Sequence, residues 1–250
     1  MSPSKSVVVE DFIGDGVKFD CSYYISDKDA ILIETCDTTM LTKQKGYETM
    51  QKAWTFPSKH EQEYIDQVHA NVREMLMSLG MKCGVANISF FYRNGKFYVF
   101  ETGFRLGGGH SFDYQRASNG IDYLSCMIKY AVGEEYDVDT NIPNDRGYAV
   151  TYNIYFKSNE GDVVNRVIGE ELVKNIDGMV TYLPNLYPGY VLVGSKPNKI
   201  AMCTLYAKDL TTIINHIETI NKTLKVETNV ETCSIFCELT AQEIIDSISK

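Results

Sequence analysis

The chain has 250 residues and an ordinary globular composition, 44% hydrophobic and 23% charged, which excludes disordered and collagen-like classes. Its 24 basic and 33 acidic residues give a net charge of −9, which argues against nucleic-acid and anionic-membrane partners. No apolar run is long enough for a transmembrane helix. The seven cysteines are scattered and odd in number, and no signal peptide precedes them, which indicates free thiols in a cytoplasmic protein.

The first part of the chain has the pattern of an antiparallel meander. Apolar runs at 7–13, 18–25 and 30–35 are separated by tight polar turns, which predicts three strands, the first opening at Val7. Residues 46–57 have an irregular pattern. Ser58 and Glu61 are spaced as a capping box, so a long helix should follow and end at Gly80. Its apolar stripe should consist of Ile65, Val68, Val72, Met75, Leu76 and Leu79.

A hairpin is the strongest local prediction. Two apolar runs, 85–92 and 97–101, flank Asn94 and Gly95, a residue pair that favours a tight turn between strands. The returning strand leads directly into Glu101 and then into three consecutive glycines. The apolar spacing over 119–132 predicts the next helix.

The polar segment 136–146 is predicted to be a linker between a domain at 1–135 and a second domain at 147–250. Strands and helices are mixed in both parts without strict βαβ alternation, so the predicted fold class is α+β. The elements predicted in the second part are strands at 149–156, 161–167, 190–193, 201–206 and 224–226, a helix at 210–220, and a final helix that begins with the capping box of Thr240 and Glu243.

The segment from Gly84 to Gly109 carries the candidate chemistry. Glu101 stands at a strand end, and Arg105 follows four residues later, before the glycines. A carboxylate is a good Mg²⁺ ligand, an arginine fork binds phosphate oxygens, and glycines let the backbone approach a ligand. These residue types suit a metal–phosphate site. The alternative is an Arg–Glu surface pair before a flexible loop.

The sequence of this segment, GVANISFFYRNGKFYVFETGFRLGGG, resembles the closing half of an ATP-grasp fold, in which a Glu or Gln on a hairpin precedes a Glu-x-Asn-x-Arg pattern by twelve residues. The segment VVVEDFIGDG at 7–16 resembles the family's entry to the adenine pocket. Residues 147–239 are more weakly similar to the C-terminal domain of L-amino-acid-ligase-like members. The resemblance implies that 1–135 form the C-terminal subdomain of an ATP-grasp domain, an antiparallel sheet with helices, followed by a smaller α+β domain.

The resemblance also implies roles for individual residues. Glu101 takes the position of a metal ligand that bridges to ATP phosphates, and Arg105 takes that of an arginine that steadies phosphate and acyl-phosphate oxygens. Both are the implied catalytic residues, and the implied cofactors are ATP and Mg²⁺ or Mn²⁺. The implied cofactor-binding residues are Glu10 and Asp11, against adenine and ribose, together with Gly107 and Gly108.

Two positions depart from the family's pattern. Ser89 stands where a metal-binding Glu or Gln is expected, and Gly103 stands where the Asn is expected. Asn87 shares a strand face with Ser89 and is a candidate substitute ligand for the metal. His110 and Arg116 are candidate substrate-binding residues, the second as a clamp for the carboxylate of an amino acid.

The function implied by the resemblance is part of an ATP-dependent ligase that activates a carboxylate as an acyl phosphate for attack by an amine. The alternatives are a carbamoyl-phosphate-synthetase-like or biotin-carboxylase-like activity on bicarbonate, and a non-catalytic, degenerate module used for binding or oligomerisation. The expected partners are small-molecule carboxylates and amines. Whether the chain forms a homodimer is left open by the sequence. Only six residues precede Val7, where the family has a phosphate-binding lysine and a glycine-rich flap. We therefore expect an excised part of a longer ligase, inactive alone, rather than a natural truncation.

Overall fold

The computed structural model describes residues 6–11, 13, 15–42, 47, 49–135, 145–194 and 196–248. The strands are β1 Val17–Ser26, β2 Ala30–Met40, β3 Gln51–Phe56, β4 Cys83–Arg93, β5 Lys96–Gly103, β6 Tyr148–Phe156, β7 Val164–Ile168, β8 Met179–Pro184, β9 Asn198–Ala207, β10 Lys225–Thr228 and β11 Thr232–Cys233. The helices are α1 Glu61–Tyr64, α2 Ala70–Ser78, α3 Ser111–Asn119, α4 Tyr123–Val132, α5 Glu170–Lys174, α6 Leu210–Thr223 and α7 Ala241–Ser247, and a π-helical turn, Ile65–His69, joins α1 to α2. The predicted α+β class is confirmed.

One large antiparallel sheet organises the molecule, with its strands in the order β5-β4-β1-β2-β3-β6-β9-β8. A smaller sheet has the order β11-β10-β7. The large sheet runs through both predicted domains, because β3 pairs with β6 from Ala53 opposite Tyr152 to Phe56 opposite Ala149. Most of the predicted linker, 136–144, lies outside the described residues. The division into two domains at 136–146 stays a prediction.

The hairpin prediction is confirmed by the backbone of its turn. Asn94 and Gly95 have φ values of 52° and 73°, the left-handed pair that a two-residue hairpin turn requires. The turn joins β4 to β5, and this pair forms one edge of the large sheet.

Four apolar clusters hold the sheet to its helices, and two of them are the largest. Beneath β1 and β4, α1 and α2 bury Tyr64 and Leu76 against Phe19 and Ile88, each 1% exposed or less. The second cluster joins β6 and β9 to α6, the helix predicted at 210–220, which buries Ile213, Ile217 and Ile220. Burial of a large apolar side chain contributes roughly 1.5–3 kcal/mol, so these clusters are the main source of stability.

The long helix after residue 58 differs from its prediction in two ways. The predicted capping box does not form, because Ser58 Oγ accepts from the backbone N–H of His60 over 2.9 Å rather than from Glu61, and the Glu61 carboxylate accepts from Arg146 and Thr35. The Ser58 hydroxyl also donates to Asp37 Oδ1 over 2.6 Å. The π-helical turn adds a residue to one turn and rotates the following face. Val72 and Leu76 of the predicted stripe are buried, whereas Ile65, Met75 and Leu79 are exposed.

Several strand predictions are also wrong. Val7, Val8 and Val9 lie in no strand and are almost fully exposed. Residues 51–56, predicted to be irregular, form β3, because two neighbouring strands supply the hydrogen bonds that their own pattern does not reveal. Residues 190–193 contain only an isolated bridge at Val191, and β8 and α5 were not predicted.

The segment after the glycines is helical earlier than predicted. Residues 111–119 form α3, and Gly120, with φ 78°, separates it from α4, which starts at Tyr123. Within the range predicted as one helix, Ile128 and Val132 are exposed, while Ile121, Tyr123 and Cys126 are buried. The chain turns between the two helices so that α4 can pack on the sheet.

The predicted free thiols are confirmed, since none of the seven cysteines forms a disulfide. Burial raises the pKa of Cys203 to about 12, and it raises the pKa of Cys21 and Cys36 as well, so these are packed thiols rather than nucleophiles. No helix in the part of the chain that the structure describes has the length and apolar character needed to cross a membrane.

Candidate active site on the polar face of the sheet

One face of the sheet is polar around the middle of β1, and the alternation of β1 shows how this polar area arises. Lys18, Asp20 and Ser22 alternate with Phe19 and Tyr23, which are fully buried in the core beneath the sheet. Because successive side chains of a strand point to opposite faces, the three polar residues share the other face. We call this the polar face of the sheet.

Neighbouring strands add polar groups in register with β1. Ser22 lies opposite Asn87 of β4 on one side and Glu34 of β2 on the other. Asp20 lies opposite Ser89 of β4. Directly opposite residues point to the same face, so the pairing brings side chains that are distant in sequence into two adjacent rows.

Glu101 reaches this face through a β-bulge in β5. Val99 pairs with Phe90, but Glu101 pairs with Ser89, so Phe100 is an extra residue in β5. Without that extra residue Glu101 would stand opposite Ile88 and point into the core. The bulge therefore turns the predicted metal ligand onto the polar face beside Ser89.

Residues 104–110, which we call the glycine strap, connect β5 to α3 at the end of the polar face. Asn87 Nδ2 donates to the backbone carbonyl of Arg105, which attaches the start of the strap to β4. A Cβ on Gly107 would lie 3.7 Å from Asn87 Oδ1 and 3.9 Å from Ser111 Oγ, so the strap passes close over these two side chains. Nothing lies within 4 Å of a Cβ built on Gly108 or Gly109, so the close approach of the strap backbone to a ligand stays a prediction.

Glu101 and Arg105 are both exposed, and neither forms an ion pair with any described residue. Within the part of the chain that the structure describes, the Arg105 guanidinium donates to the Leu106 carbonyl alone, over 3.1 Å. The structure therefore does not support the alternative of an Arg–Glu surface pair. Two unpaired charges beside a glycine-rich backbone segment are available to a ligand.

Asp20, in contrast, is fully engaged. Ser89 Oγ donates to its Oδ1, Thr38 Oγ1 donates to its Oδ2 over 3.0 Å, and Lys18 Nζ lies 3.6 Å from Oδ2. This carboxylate lies inside β1, opposite the position where the expected metal ligand is replaced by Ser89. The Ser89 hydroxyl is consequently held as a hydrogen-bond donor toward Asp20.

A cavity of about 140 Å³ opens on the polar face. Its apolar wall includes Trp54 and Phe56 of β3, and its polar wall includes Lys18, Asp20 and Glu34. The further lining residues are Cys21, Ser22, Cys36, Asn87, Gly109, Ser111 and Thr151. An aromatic wall opposite a few polar groups is typical of small-molecule sites.

Three sequence-predicted residues lie at or beside this cavity: Asn87 in its wall, with Gly107 and Gly108 in the strap. Both polar atoms of the Asn87 amide are already used, because its Oδ1 accepts from Ser22 over 2.8 Å while its Nδ2 donates to Arg105. Its role as a substitute metal ligand stays a prediction.

The remaining predicted site residues have other immediate partners. Glu10 and Asp11 are exposed outside the strands, and the neighbouring Phe12 and Gly14 lie outside the described residues. His110 has a left-handed φ of 54° and places its Nδ1 3.7 Å from Asp113. Arg116, in α3 rather than in a loop, lies 3.7 Å from Asp122 and is exposed. Cofactor and substrate binding by these four residues stay predictions.

Sequence reasoning missed the wall of the cavity. Lys18, Ser22, Glu34, Ser111 and Gln115 received no role, although all five lie at the polar face or beneath the strap. The alternation of polar and apolar residues in 17–26 was the signal that could have indicated the first two. The others depend on strand pairing and on an unpredicted helix.

Solved structures with similar folds include a ligase, a synthetase and a biotin carboxylase. Over 85% of its length the chain resembles L-amino acid ligase from Bacillus licheniformis, with a TM-score of 0.70 and 17% identity. It resembles phosphoribosylglycinamide synthetase from Anaerococcus prevotii over 87% (TM-score 0.69, 12% identity) and a biotin carboxylase–βγ-ATP complex from Campylobacter jejuni over 95% (TM-score 0.65, 16% identity). The chain has the ATP-grasp fold.

The ATP-grasp chain described here spans about half the length of these structures, 54%, 54% and 50% respectively. No protein-family model and no curated protein matches its sequence. The predicted family resemblance is thus confirmed at the level of the fold.

The donor atoms of the polar face fit a magnesium ion held together with phosphates. Among the described residues no group of three or more His, Cys, Asp and Glu side chains is arranged to hold a metal ion. Mg²⁺ does not need such a group, because it usually takes one or two carboxylates and completes its shell with substrate phosphates and water. Glu101 is the uncommitted carboxylate that suits this role, with the engaged Asp20 on the other side of Ser89.

Proposed function

We propose that this chain supplies part of the active site of an ATP- and Mg²⁺-dependent ligase that activates a carboxylate for attack by an amine. The observation that carries the proposal is the pair of unpaired charges, Glu101 and Arg105, beside the glycine strap on the polar face of an ATP-grasp sheet. A carboxylate and a guanidinium that do not neutralise each other suit a bound metal and a phosphate respectively.

In the proposed reaction an oxygen of the substrate carboxylate displaces ADP from the γ-phosphorus of ATP. The amine nitrogen then attacks the acyl carbon, inorganic phosphate leaves, and the nitrogen loses a proton. Bound Mg²⁺ would supply charge neutralisation on the phosphates, with Glu101 as its protein ligand. Arg105 would bind equatorial phosphate oxygens, and the strap would bring its backbone close to them. These residues position the reactants and stabilise charge rather than transfer protons.

The test is ADP release by the natural protein that contains this sequence, measured with a panel of amino acids and with bicarbonate. Hydroxylamine trapping of an acyl phosphate should accompany release in the presence of the preferred amino acid. Release that depends on bicarbonate alone would replace the proposal with a biotin-carboxylase-like or carbamoyl-phosphate-synthetase-like activity. No release with any substrate, from protein that is folded, would contradict the ligase proposal.

A non-catalytic binding module is the second candidate. It is favoured by the hydrogen bond from Ser89 to Asp20, which leaves one uncommitted carboxylate where the family pattern has two ligand positions. The same assay distinguishes the two candidates, because a module that binds without reacting releases no ADP.

A further inference from the structure

Glu34 of β2 is a buried acid directly beneath the glycine strap. It is 5% exposed, and no described cation forms an ion pair with it. The titratable groups around it are Asp20 and Cys21 of β1, Cys36 of its own strand, Tyr114 of α3 and Tyr123 of α4, none of which carries a positive charge. The cations in this region, Lys18 and Arg146, form ion pairs with Asp20 and Glu61 instead. A carboxylate in this setting would be a buried charge without a counter-ion, which is costly.

Both hydrogen bonds of Ser22 are satisfied when Glu34 carries a proton. Ser22 Oγ lies 2.6 Å from Glu34 Oε1 and 2.8 Å from Asn87 Oδ1, yet the hydroxyl has a single hydrogen to donate. The Asn87 amide cannot be turned over, because its Nδ2 donates to the Arg105 carbonyl. If Ser22 donates to Asn87, only a protonated Glu34 can supply the hydrogen for the second contact. If Ser22 donates to Glu34 instead, a lone pair of Ser22 Oγ faces a lone pair of Asn87 Oδ1 with no hydrogen between them.

The other oxygen of the acid shows where that proton lies. Gln115 Nε2 donates to Glu34 Oε2, so Oε2 is an acceptor. The proton therefore belongs on Oε1, which faces Ser22. With the proton on Oε1, Glu34 donates to Ser22 and Ser22 donates to Asn87. The Asn87 amide in turn donates to the Arg105 carbonyl, which completes a chain of three hydrogen bonds.

This chain of donors connects both ends of the strap to one residue. The strap begins beside Arg105, which Asn87 holds, and it ends at α3, where Gln115 and Ser111 hydrogen-bond the Glu34 carboxyl. We propose that Glu34 is protonated in the folded protein and acts as a positioning residue that fixes the two ends of the glycine strap. The protonation of Glu34 does not depend on the proposed ligase function. Only a contribution of the strap to catalysis rests on the proposed function.

The proposal has a consequence for pH. Burial raises the pKa of Glu34 above its ordinary range. Above that raised pKa the carboxylate no longer donates, the Ser22 hydrogen turns toward it, and Asn87 loses its donor. The strap should therefore loosen as the pH rises, and a glutamine at position 34 should prevent this, because its amide donates to Ser22 and accepts from Gln115 at every pH.

Infrared spectroscopy tests the proton directly. At pH 6, where exposed carboxyl groups are ionised, the folded wild-type chain should show carbonyl stretches of protonated buried acids, and Glu34→Gln should remove one of them. Among the described residues Asp37 is the other buried acid whose pKa is raised by burial, so Asp37→Asn is the matched control that removes a different band. A Glu34→Gln spectrum identical to that of the wild type in this region would overturn the proposal.

Hydrogen exchange tests the positioning role without any nucleotide, so the result does not depend on ligase activity. In Glu34→Ala, amide protection across 104–110 should fall roughly fivefold to tenfold, the change expected for losing one hydrogen bond, while protection in β9 stays unchanged. Glu34→Gln should keep wild-type protection of the strap. Equal loss of protection in the two variants would show that the acid has no donor role, and a loss that includes β9 would show a general structural defect instead.

Discussion

Single side chains on the polar face differ in whether their charge is already neutralised. Glu101 and Arg105 have no ion-pair partner among the described residues, whereas Asp20 accepts from Ser89 and Thr38 and lies beside Lys18. The chemistry of the proposed site is therefore concentrated in the two uncommitted groups. Asp20 has a supporting role, because it orients Ser89 and holds the Lys18 ammonium at the edge of the cavity.

Replacement of Glu101 by alanine should lower Mg²⁺-dependent ADP release by roughly 10²–10³-fold, the size of effect found when one charge-stabilising group is removed from an active site. The variant should fold normally because the side chain is exposed. Glu74→Ala is the matched control, since Glu74 is an exposed glutamate of α2 on the opposite side of the sheet. Unchanged release in Glu101→Ala would show that the metal role is assigned to the wrong residue.

Asp37 should give the protein an unusual dependence of stability on pH. Burial raises the pKa of Asp37, which is 1% exposed, from its ordinary value of 3.8 to about 7. The folded state then binds the proton more tightly than the unfolded chain does. The free energy of unfolding should fall by about 1.4 kcal/mol per pH unit between the two pKa values.

Urea denaturation of wild-type protein and Asp37→Asn between pH 4 and pH 8 measures this contribution. The wild type should lose stability relative to the variant as the pH rises from about 4 to about 7, and the difference should level off above that. Parallel stability curves for the two proteins would mean that Asp37 does not hold its proton in the folded state.

At the scale of single elements, two irregularities determine which side chains are buried. The bulge at Phe100 moves Glu101 from the core face of β5 to the polar face, since a shift of one residue reverses the side-chain direction in a strand. The π-helical turn at 65–69 similarly changes the phase of α2, so that Leu76 packs in the core and Leu79 is half exposed.

Leu76→Ala and Leu79→Ala test the changed phase of α2. Leu76 is fully buried, so its truncation should cost roughly 2–5 kcal/mol in the free energy of unfolding. Leu79 is 52% exposed, so Leu79→Ala should lower the free energy of unfolding by less than about 0.5 kcal/mol, as surface substitutions usually do. If both variants lost the same free energy of unfolding in urea denaturation, the result would favour a regular α-helix in which Leu76 and Leu79 share the buried stripe.

At the scale of the whole molecule, the pairing of β3 with β6 joins the two halves of the chain into one sheet. Trp54, the only tryptophan, stands at this junction, opposite Thr38 of β2 and Thr151 of β6. Separation of the halves would expose the backbone hydrogen-bonding groups of two central strands. We therefore expect the halves to support each other's stability.

Urea unfolding should consequently be a single transition. Trp54 fluorescence, circular dichroism and the amide protection of β1 and β9 should all be lost at the same urea concentration. Protection in β9 that persists after β1 is exposed would show that 147–250 fold independently, as the predicted division into domains suggests.

The sequence by itself determined the features that depend on neighbours in the chain. The alternation in 18–25, the Asn94–Gly95 turn and the capping box of Thr240 predicted β1, the hairpin and α7 correctly, because propensity and pattern act locally. The motif around Glu101 and Arg105 likewise indicated the ATP-grasp fold.

Only the tertiary structure decided how these pieces combine into a site. The side of the sheet that Glu101 faces depends on a bulge, the partner of Ser89 depends on its register with Asp20, and the position of Glu34 beneath the strap depends on the pairing of β2 with β1. β3 has no recognisable pattern and forms because two strands flank it. The physical reason is the same in each case: strand register is set by contacts between segments that are distant in sequence, and a shift of one residue reverses every side chain.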